Sequence, residues 1–227
     1  MISGLQKVTL LDFPGKVACT IFLSGCNLRC PYCHNSELVL PQEKRKNVSE
    51  DELFEFLVSR TGKLDGVCIT GGEPTLHRSL PDLIRRIKKM GFLVKLDSNG
   101  TVPDMLEYIM REKLLDYVAM DIKNSPSRYA ETCGANVIEQ VKKSVTLLKN
   151  GKIDYEFRTT VCHPFHLPDN MQEIGCWLRG AKRYYIQPFV DSGNLLGCGV
   201  SAMTRPELEA LLSAVKPYIP VAEFRGV

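Results

Sequence analysis

Three cysteines lie close together in one short segment of the sequence. Cys26, Cys30 and Cys33 have the spacing C-x3-C-x2-C, and Pro31 disfavours helical geometry at Cys30. Soft thiolate ligands favour zinc or iron–sulfur centres. A [4Fe–4S] cluster normally takes four cysteines, one for each iron, so a set of three leaves one iron open. An open iron can bind a substrate directly, and this is the chemistry that the segment favours.

A zinc-binding module is the alternative interpretation of the same segment. A closed structural zinc site has four ligands, so His34 or a remote cysteine would have to complete the set. Cys162, Cys176 and Cys198 could in principle ligate a second cluster. Their spacings of 14 and 22 residues match no compact loop, and we interpret these three cysteines as inert thiols.

Further residues that could take part in binding or chemistry come just after predicted strands. Gly71 and Gly72 open the segment Gly-Gly-Glu-Pro, and paired glycines allow a backbone to approach a ligand closely. The segments Asp97–Gly100 and Asp121–Lys123 each place a carboxylate at a strand end, where a partly buried carboxylate requires a cationic partner. Each segment taken alone could equally be a turn without a ligand.

An arginine lies within a strand that is otherwise largely apolar. Arg158 occupies the run Glu156–Val161, and an arginine is costly to bury unless it is paired. Because side chains alternate between the two faces of a strand, Arg158 could also face outward. The pattern leaves both interpretations open.

The elements that would position these residues alternate between strand and helix. Such alternation implies a parallel sheet with right-handed crossovers, and it predicts six β/α units and an α/β fold of the incomplete (β/α)6 barrel type. In barrels of this kind the chemistry lies at the carboxyl ends of the strands. Capping boxes at Ser49–Glu52 and Thr204–Glu207 mark two helix starts. The predicted strands are residues 17–23, 66–70, 92–96, 115–122, 154–161 and 183–187, and the predicted helices are residues 53–60, 80–90, 105–113, 138–149, 171–178 and about 205–215.

The composition is that of an ordinary globular protein. The chain has 227 residues, with 44% hydrophobic residues, 24% charged residues and a net charge of +3. This charge is too small to predict a nucleic-acid partner, and no apolar run reaches the length of a membrane span. The odd count of nine cysteines argues against a disulfide framework and predicts a cytoplasmic protein. We expect one domain over residues 1–227, with an extension at 1–16, a barrel core at 17–215 and a tail at 216–227.

The cysteine segment and the motifs that follow it resemble the radical S-adenosylmethionine (SAM) superfamily, and within it the activating enzymes of glycyl-radical enzymes. The resemblance covers nearly the whole chain. It implies a [4Fe–4S] cluster on Cys26, Cys30 and Cys33, with SAM chelating the fourth iron. It also implies that Asp97, Ser98 and Asp121 hold a monovalent cation near the SAM carboxylate, and that no side chain acts as a catalytic acid or base. The residues implied to contact SAM or the cation are Tyr32, Gly71, Gly72, Glu73, Asp97, Ser98, Asn99, Asp121, Lys123, Arg158 and Gln187.

The N-terminal segment sharpens the resemblance. The run Gly4–Lys16 is similar to the start of proteins that activate anaerobic ribonucleotide reductase, which implies that reductase as the partner. A flavodoxin-like or ferredoxin-like protein would supply the electron. Two alternatives within the superfamily stay open, namely an activating enzyme of the pyruvate formate-lyase type and an enzyme that acts on a small molecule, such as a deazapurine synthase.

Overall fold

The computed structural model describes residues 2–39, 47–191 and 193–226. Strands and helices alternate along most of this sequence. The strands are β1 Ile2–Thr9, β2 Ala18–Leu23, β3 Gly66–Gly71, β4 Leu93–Ser98, β5 Tyr117–Asp121, β6 Asp154–Val161, β7 Tyr184–Pro188 and β8 Ala222–Phe224. The helices are α1 Ser36–Val39, α2 Glu50–Arg60, α3 Leu80–Lys89, α4 Pro103–Arg111, α5 Tyr129–Cys133, α6 Ile138–Asn150, α7 Pro168–Trp177 and α8 Arg205–Val215. Among the described residues, no helix combines the length and the apolar character needed to cross a membrane.

The predicted alternation is confirmed, and so are both capping boxes. Ser49 Oγ accepts a hydrogen bond from the Glu52 N–H at 3.1 Å, and the Glu52 carboxylate accepts one from the Ser49 N–H at 2.8 Å. Thr204 and Glu207 make the equivalent arrangement before α8. These side chains satisfy N–H groups that have no partner within the helix.

Several predicted boundaries were wrong by two or three residues. Helices α4 and α7 begin at Pro103 and Pro168, earlier than predicted, because proline is well tolerated in the first helical turn. Strand β4 extends beyond the last apolar residue to Ser98, because Ser98 is itself buried and hydrogen-bonded. Asp97 therefore lies within the strand rather than after it. Gln187 lies within β7, as predicted.

Two strands were missed. Residues 1–16 were expected to be an extension, but Ile2–Thr9 pairs antiparallel with β2. Three of its residues, Gln6, Lys7 and Val8, are exposed, so the strand has no clear apolar pattern in the sequence. The short strand Ala222–Phe224 in the expected tail pairs parallel with β7. Both strands depend on pairing with residues distant in the sequence, which local patterns do not encode.

The chain divides into two compact units, and the first comprises Met1–Asn27, Glu37–Ser98 and Asp104–Val118. Strands β2, β3 and β4 pair in parallel within it. Cys19 and Cys68 are fully buried. Burial raises the pKa of Cys19 to about 12, so this thiol stays neutral and behaves as a small apolar side chain.

The second unit comprises Leu28–Ser36, Asn99–Pro103 and Ala119–Val227. Strands β6, β7 and β8 pair in parallel within it, around buried aromatic rings such as Tyr155 and Phe157. Glu156 is fully buried in β6 and pairs with Arg225, which follows β8. A buried carboxylate needs such a partner, so this ion pair ties the end of the chain to the sheet.

Candidate active site

The cysteine segment follows β2, as predicted. Cys30 is buried, whereas Cys26 and Cys33 are half-buried, and all three thiols are free of disulfides. Gly25 precedes them with φ +90°, a conformation that favours glycine. Within the segment, the Cys33 N–H donates to the Cys30 carbonyl at 3.1 Å, which closes a turn.

Lys123 provides positive charge beside two of these thiols. Burial raises the pKa of Cys33, and the Lys123 ammonium acts in the opposite direction. Burial also disfavours the charged form of Lys123, but Asp121 and Cys30 outweigh it and raise the pKa of this lysine. Lys123 is therefore a permanent cation in the second unit, and its charge favours the thiolate form that a metal cluster requires.

Asp121 joins Lys123 to Arg158. One carboxylate oxygen accepts from Lys123 Nζ at 2.9 Å, and the other pairs with Arg158 Nε. Despite its burial, Asp121 has a lowered pKa because Arg158 and Lys123 stabilise its charge. Arg158 is 16% exposed and thus does not face solvent, so that alternative was wrong. Sequence reasoning missed the pairing with Asp121, although a carboxylate partner is what a buried arginine in a strand requires.

Tyr32 is buried between the cysteines of the second unit. Its hydroxyl donates to the Lys123 carbonyl at 3.1 Å. The centroid of its ring lies 6.0 Å from that of Phe165 and 5.9 Å from that of His166. His166 Nε2 lies 2.9 Å from the same carbonyl, and burial lowers the pKa of His166, so the ring is neutral at pH 7. No local sequence pattern marks His166, because its contact with the Lys123 carbonyl joins residues 43 positions apart.

The β7–α8 loop packs on the cysteine segment. The Gly197 N–H donates to the Pro31 carbonyl at 3.0 Å, and Ser36 Oγ donates to the Asn194 carbonyl at 2.5 Å. His34 stacks on Phe189 with ring centroids 5.4 Å apart. His34, which could have completed a zinc site, therefore has a packing role in this unit.

Gly71 and Gly72 hold the turn after β3 against the end of β2. The N–H groups of Gly72 and Glu73 donate to the carbonyls of Leu23 and Gly25, each at 2.8 Å. A Cβ atom at Gly71 would lie 2.2 Å from the Leu23 oxygen, and one at Gly72 would lie 2.1 Å from the Gly25 oxygen. Glycine is required here because two backbone segments touch, which is a structural reason independent of any ligand.

Glu73 fixes this turn. Its carboxylate is fully buried and accepts from the Thr75 N–H at 3.0 Å, from the Thr75 hydroxyl and from Ser98 Oγ at 2.9 Å. The turn after β3 and the end of β4 are thereby joined through one side chain. Glu73 is thus engaged within the first unit rather than directed to a ligand.

Asp97 and Asn99 are also engaged with neighbouring residues. Asp97 pairs with Lys95 Nζ in the first unit. In the second unit, Asn99 Oδ1 accepts from the Thr101 N–H at 3.0 Å and from its hydroxyl at 2.7 Å, which stabilises the turn before α4. Gln187 is half-buried within β7. The two units thus divide the predicted ligand set: the first holds Cys26, Gly71, Gly72, Glu73, Asp97 and Ser98, and the second holds Cys30, Tyr32, Cys33, Asn99, Asp121, Lys123, Arg158 and Gln187.

The donor set of the cysteine segment suits an iron–sulfur cluster better than a single ion. Across the described residues, no three His, Cys, Asp or Glu side chains converge closely enough to hold one metal ion. A structural zinc site requires four ligands around one ion, whereas each cysteine of a [4Fe–4S] cluster binds a different iron. The thiols of Cys30 and Cys33 lie beside the Lys123 charge, and a set of three thiols is compatible with the second arrangement.

Sequence comparison identifies relatives over most of the chain. The family described as the Radical SAM superfamily matches residues 20–175, a range that includes the cysteine segment and Arg158. A protein of Methanocaldococcus jannaschii named "Putative glycyl-radical enzyme activating enzyme" is 34% identical over 198 residues, which are 83% of this chain and 80% of that protein. A 7-carboxy-7-deazaguanine synthase of Thermococcus kodakarensis is 26% identical over 193 residues, which are 77% of this chain and 75% of that protein.

The fold is shared with solved radical SAM structures. A radical SAM methyltransferase from Sphaerobacter thermophilus matches with a TM-score of 0.71 and 15% identity, covering 96% of this chain and 68% of that chain. At this identity the similarity shows the fold alone. The predicted fold class, an α/β fold of the radical SAM type whose barrel is not closed, is confirmed.

Proposed function

The chain belongs to the radical SAM superfamily, whose members use a [4Fe–4S] cluster and SAM, and on that premise we propose that it activates a glycyl-radical enzyme. The observation that carries this proposal is the similarity to the M. jannaschii protein of that name, which extends over 83% of the chain. Anaerobic ribonucleotide reductase is the proposed partner, because of the N-terminal segment Gly4–Lys16. A flavodoxin-like or ferredoxin-like protein is the proposed electron donor.

The hard chemistry belongs to the cofactors. When bound, the cluster would supply one electron to the SAM sulfonium, whose C5′–S bond would break to release methionine and a 5′-deoxyadenosyl radical able to take a hydrogen atom from a glycine Cα of the partner. The chain has to hold the cluster, orient SAM and admit a glycine. Cys26, Cys30 and Cys33 are the proposed cluster ligands. A catalytic acid or base is not required, since no proton has to be moved by the protein.

The proposed SAM contacts use permanent charges and backbone groups. Lys123 and Arg158 are cations that pair with Asp121, and cationic donors of this kind are suited to the SAM carboxylate. The carbonyls of Gly71 and Gly72 are proposed acceptors for the SAM ammonium. Tyr32 and Gln187 are proposed neighbours of the adenine, and Asn99 is a further proposed SAM contact. Glu73 is proposed to act indirectly, by fixing the glycine turn.

A second candidate function is radical chemistry on a small molecule. The similarity to the T. kodakarensis 7-carboxy-7-deazaguanine synthase favours it, and the β7–α8 loop against the cysteine segment offers material for a substrate pocket. Such an enzyme would turn over a metabolite without any partner protein. The two functions therefore differ in a property that is simple to measure.

Electron paramagnetic resonance (EPR) of anaerobic mixtures separates these functions. The reconstituted protein, SAM and a reductant are incubated with an anaerobic ribonucleotide reductase, with a pyruvate formate-lyase, or with purine-like metabolites alone. We expect a doublet from a glycyl radical on the reductase and none with the Cys30→Ala variant. A doublet that appears only on the lyase would mean that the partner is the lyase, while the activating function stays as proposed. Turnover of a metabolite without a doublet on either protein would replace the activating function with the second candidate.

A further inference from the structure

A lysine is buried in the middle of the first unit. Lys95 lies on β4 and is 1% exposed. A buried ammonium is costly unless it is paired, and Lys95 Nζ pairs with Asp97 Oδ1. It also lies 3.7 Å from Cys68 Sγ, which is itself 3.8 Å from Asp97 Oδ1.

The sheet fixes this cluster in place. Residues two apart on a strand share a face, so Lys95 and Asp97 point to the same side of β4. Cys68 on β3 is the register partner of Lys95. The position of the ammonium is therefore set by backbone pairing rather than by a mobile side chain on the surface.

The resemblance assigns a monovalent cation to Asp97, Ser98 and Asp121, and the structure does not fit that assignment. Asp97 is already paired with the Lys95 ammonium, and Asp121 is paired with Lys123 and Arg158. The Ser98 hydroxyl donates to Glu73. An added metal cation at Asp97 would meet a buried like charge, which repels it.

We infer that the ammonium of Lys95 takes the place of the monovalent cation, so that this protein binds SAM without sodium or potassium. Lys95 is a positioning residue, since it acts through Asp97 and supplies the charge that an external ion would otherwise supply. The inference rests on the proposed placement of Asp97 in the SAM site. It does not depend on which partner the enzyme activates.

The first test measures SAM affinity of the cluster-loaded protein by equilibrium dialysis. The affinity is compared in potassium chloride, sodium chloride and tetramethylammonium chloride at equal ionic strength. We expect values within about twofold of one another, because a large organic cation cannot enter a buried site and none is needed. A loss of about tenfold or more in tetramethylammonium, which corresponds to about 1.4 kcal/mol, would overturn the inference.

The second test removes the ammonium with Lys95→Met, a substitution of similar length and no charge. Asp97 then lacks its cation, and we expect SAM affinity to fall about tenfold in tetramethylammonium and to recover in potassium. The melting temperature of the cluster-free variant should likewise be higher in potassium chloride than in tetramethylammonium chloride. A merely structural lysine would produce no such dependence on the ion.

The matched control is Lys88→Met. Lys88 pairs with Asp116 at 2.6 Å in the same unit. The SAM affinity and the melting temperature of Lys88→Met should not depend on which cation is present. If Lys95→Met does not fold, the first test, on the unmodified protein, decides the inference. If Lys95→Met folds and binds SAM with the same affinity in every salt, the inference that the Lys95 ammonium replaces a monovalent cation is refuted. None of these measurements uses a partner protein, so their failure is distinguishable from a failure of the activating function.

Discussion

At the scale of single residues, the cysteine segment separates three thiols with a proposed role from six others. Cys26→Ala, Cys30→Ala and Cys33→Ala should each reduce the iron retained after anaerobic reconstitution and abolish SAM cleavage, since a cluster with two protein thiolates is poorly held. Cys176→Ala is the control, because Cys176 is exposed and distant in sequence. Iron and sulfide analysis should give about four of each per chain for the control. A zinc ion in place of iron would contradict the assignment.

Asp121 provides a second test at the same scale, through the pH dependence of stability. Its pKa is lowered in the folded protein, so its contribution is present above the unfolded pKa of about 3.9 and is lost as the pH falls further. Asp121→Asn leaves Lys123 and Arg158 without their carboxylate. Because the side chain is 28% exposed, we expect a loss of about 1–3 kcal/mol in the free energy of unfolding, less than for a fully buried pair.

Urea unfolding of the cluster-free protein between pH 3 and 8 measures this loss. The difference between the unmodified protein and Asp121→Asn should be constant above about pH 5 and should shrink below about pH 4. Glu139→Gln is the control, since it removes an exposed carboxylate that pairs with Lys142 at 2.8 Å and should change stability by less than about 0.5 kcal/mol. A difference that grows as the solution becomes more acidic would contradict the role of the Asp121 charge.

At the scale of elements, the turn after β3 supports the start of the cysteine segment. Gly72→Ala would place a Cβ atom 2.1 Å from the Gly25 oxygen, so the backbone next to Cys26 has to move. We expect a destabilisation of about 1–3 kcal/mol, typical of overpacking, together with a loss of bound iron. Gly91→Ala is the matched control, because Gly91 has φ +89° and no atom within 4 Å of the added carbon.

The two glycine variants should differ in iron content rather than in stability. Gly91→Ala strains the backbone by about 1–2 kcal/mol at a site outside the cysteine segment, and it should bind iron normally. Visible absorbance of the reconstituted proteins measures the difference. Normal iron content in a folded Gly72→Ala would show that the cysteine segment does not depend on this turn.

At the scale of the whole molecule, the sequence predicts the fold class and most of its elements. Strands such as β2 are apolar runs bounded by turn residues, and α2 and α8 carry capping boxes, so local patterns suffice. Strands β1 and β8 were missed because they depend on nonlocal pairing. The Lys95–Asp97 pair could have been found from its spacing of two residues in a strand. The pairing of Asp121 with Arg158 joins residues 37 positions apart and leaves no local pattern.

We propose that this radical SAM enzyme takes a hydrogen atom from a glycine of another protein. A partner reductase labelled with deuterium at its glycine α-positions tests this proposal, with the 5′-deoxyadenosine product analysed by mass spectrometry. We predict deuterium in the product, in proportion to the glycyl radical measured by EPR, and no product with Cys30→Ala. Deoxyadenosine that forms without deuterium, whichever glycyl-radical enzyme is supplied, would contradict the account.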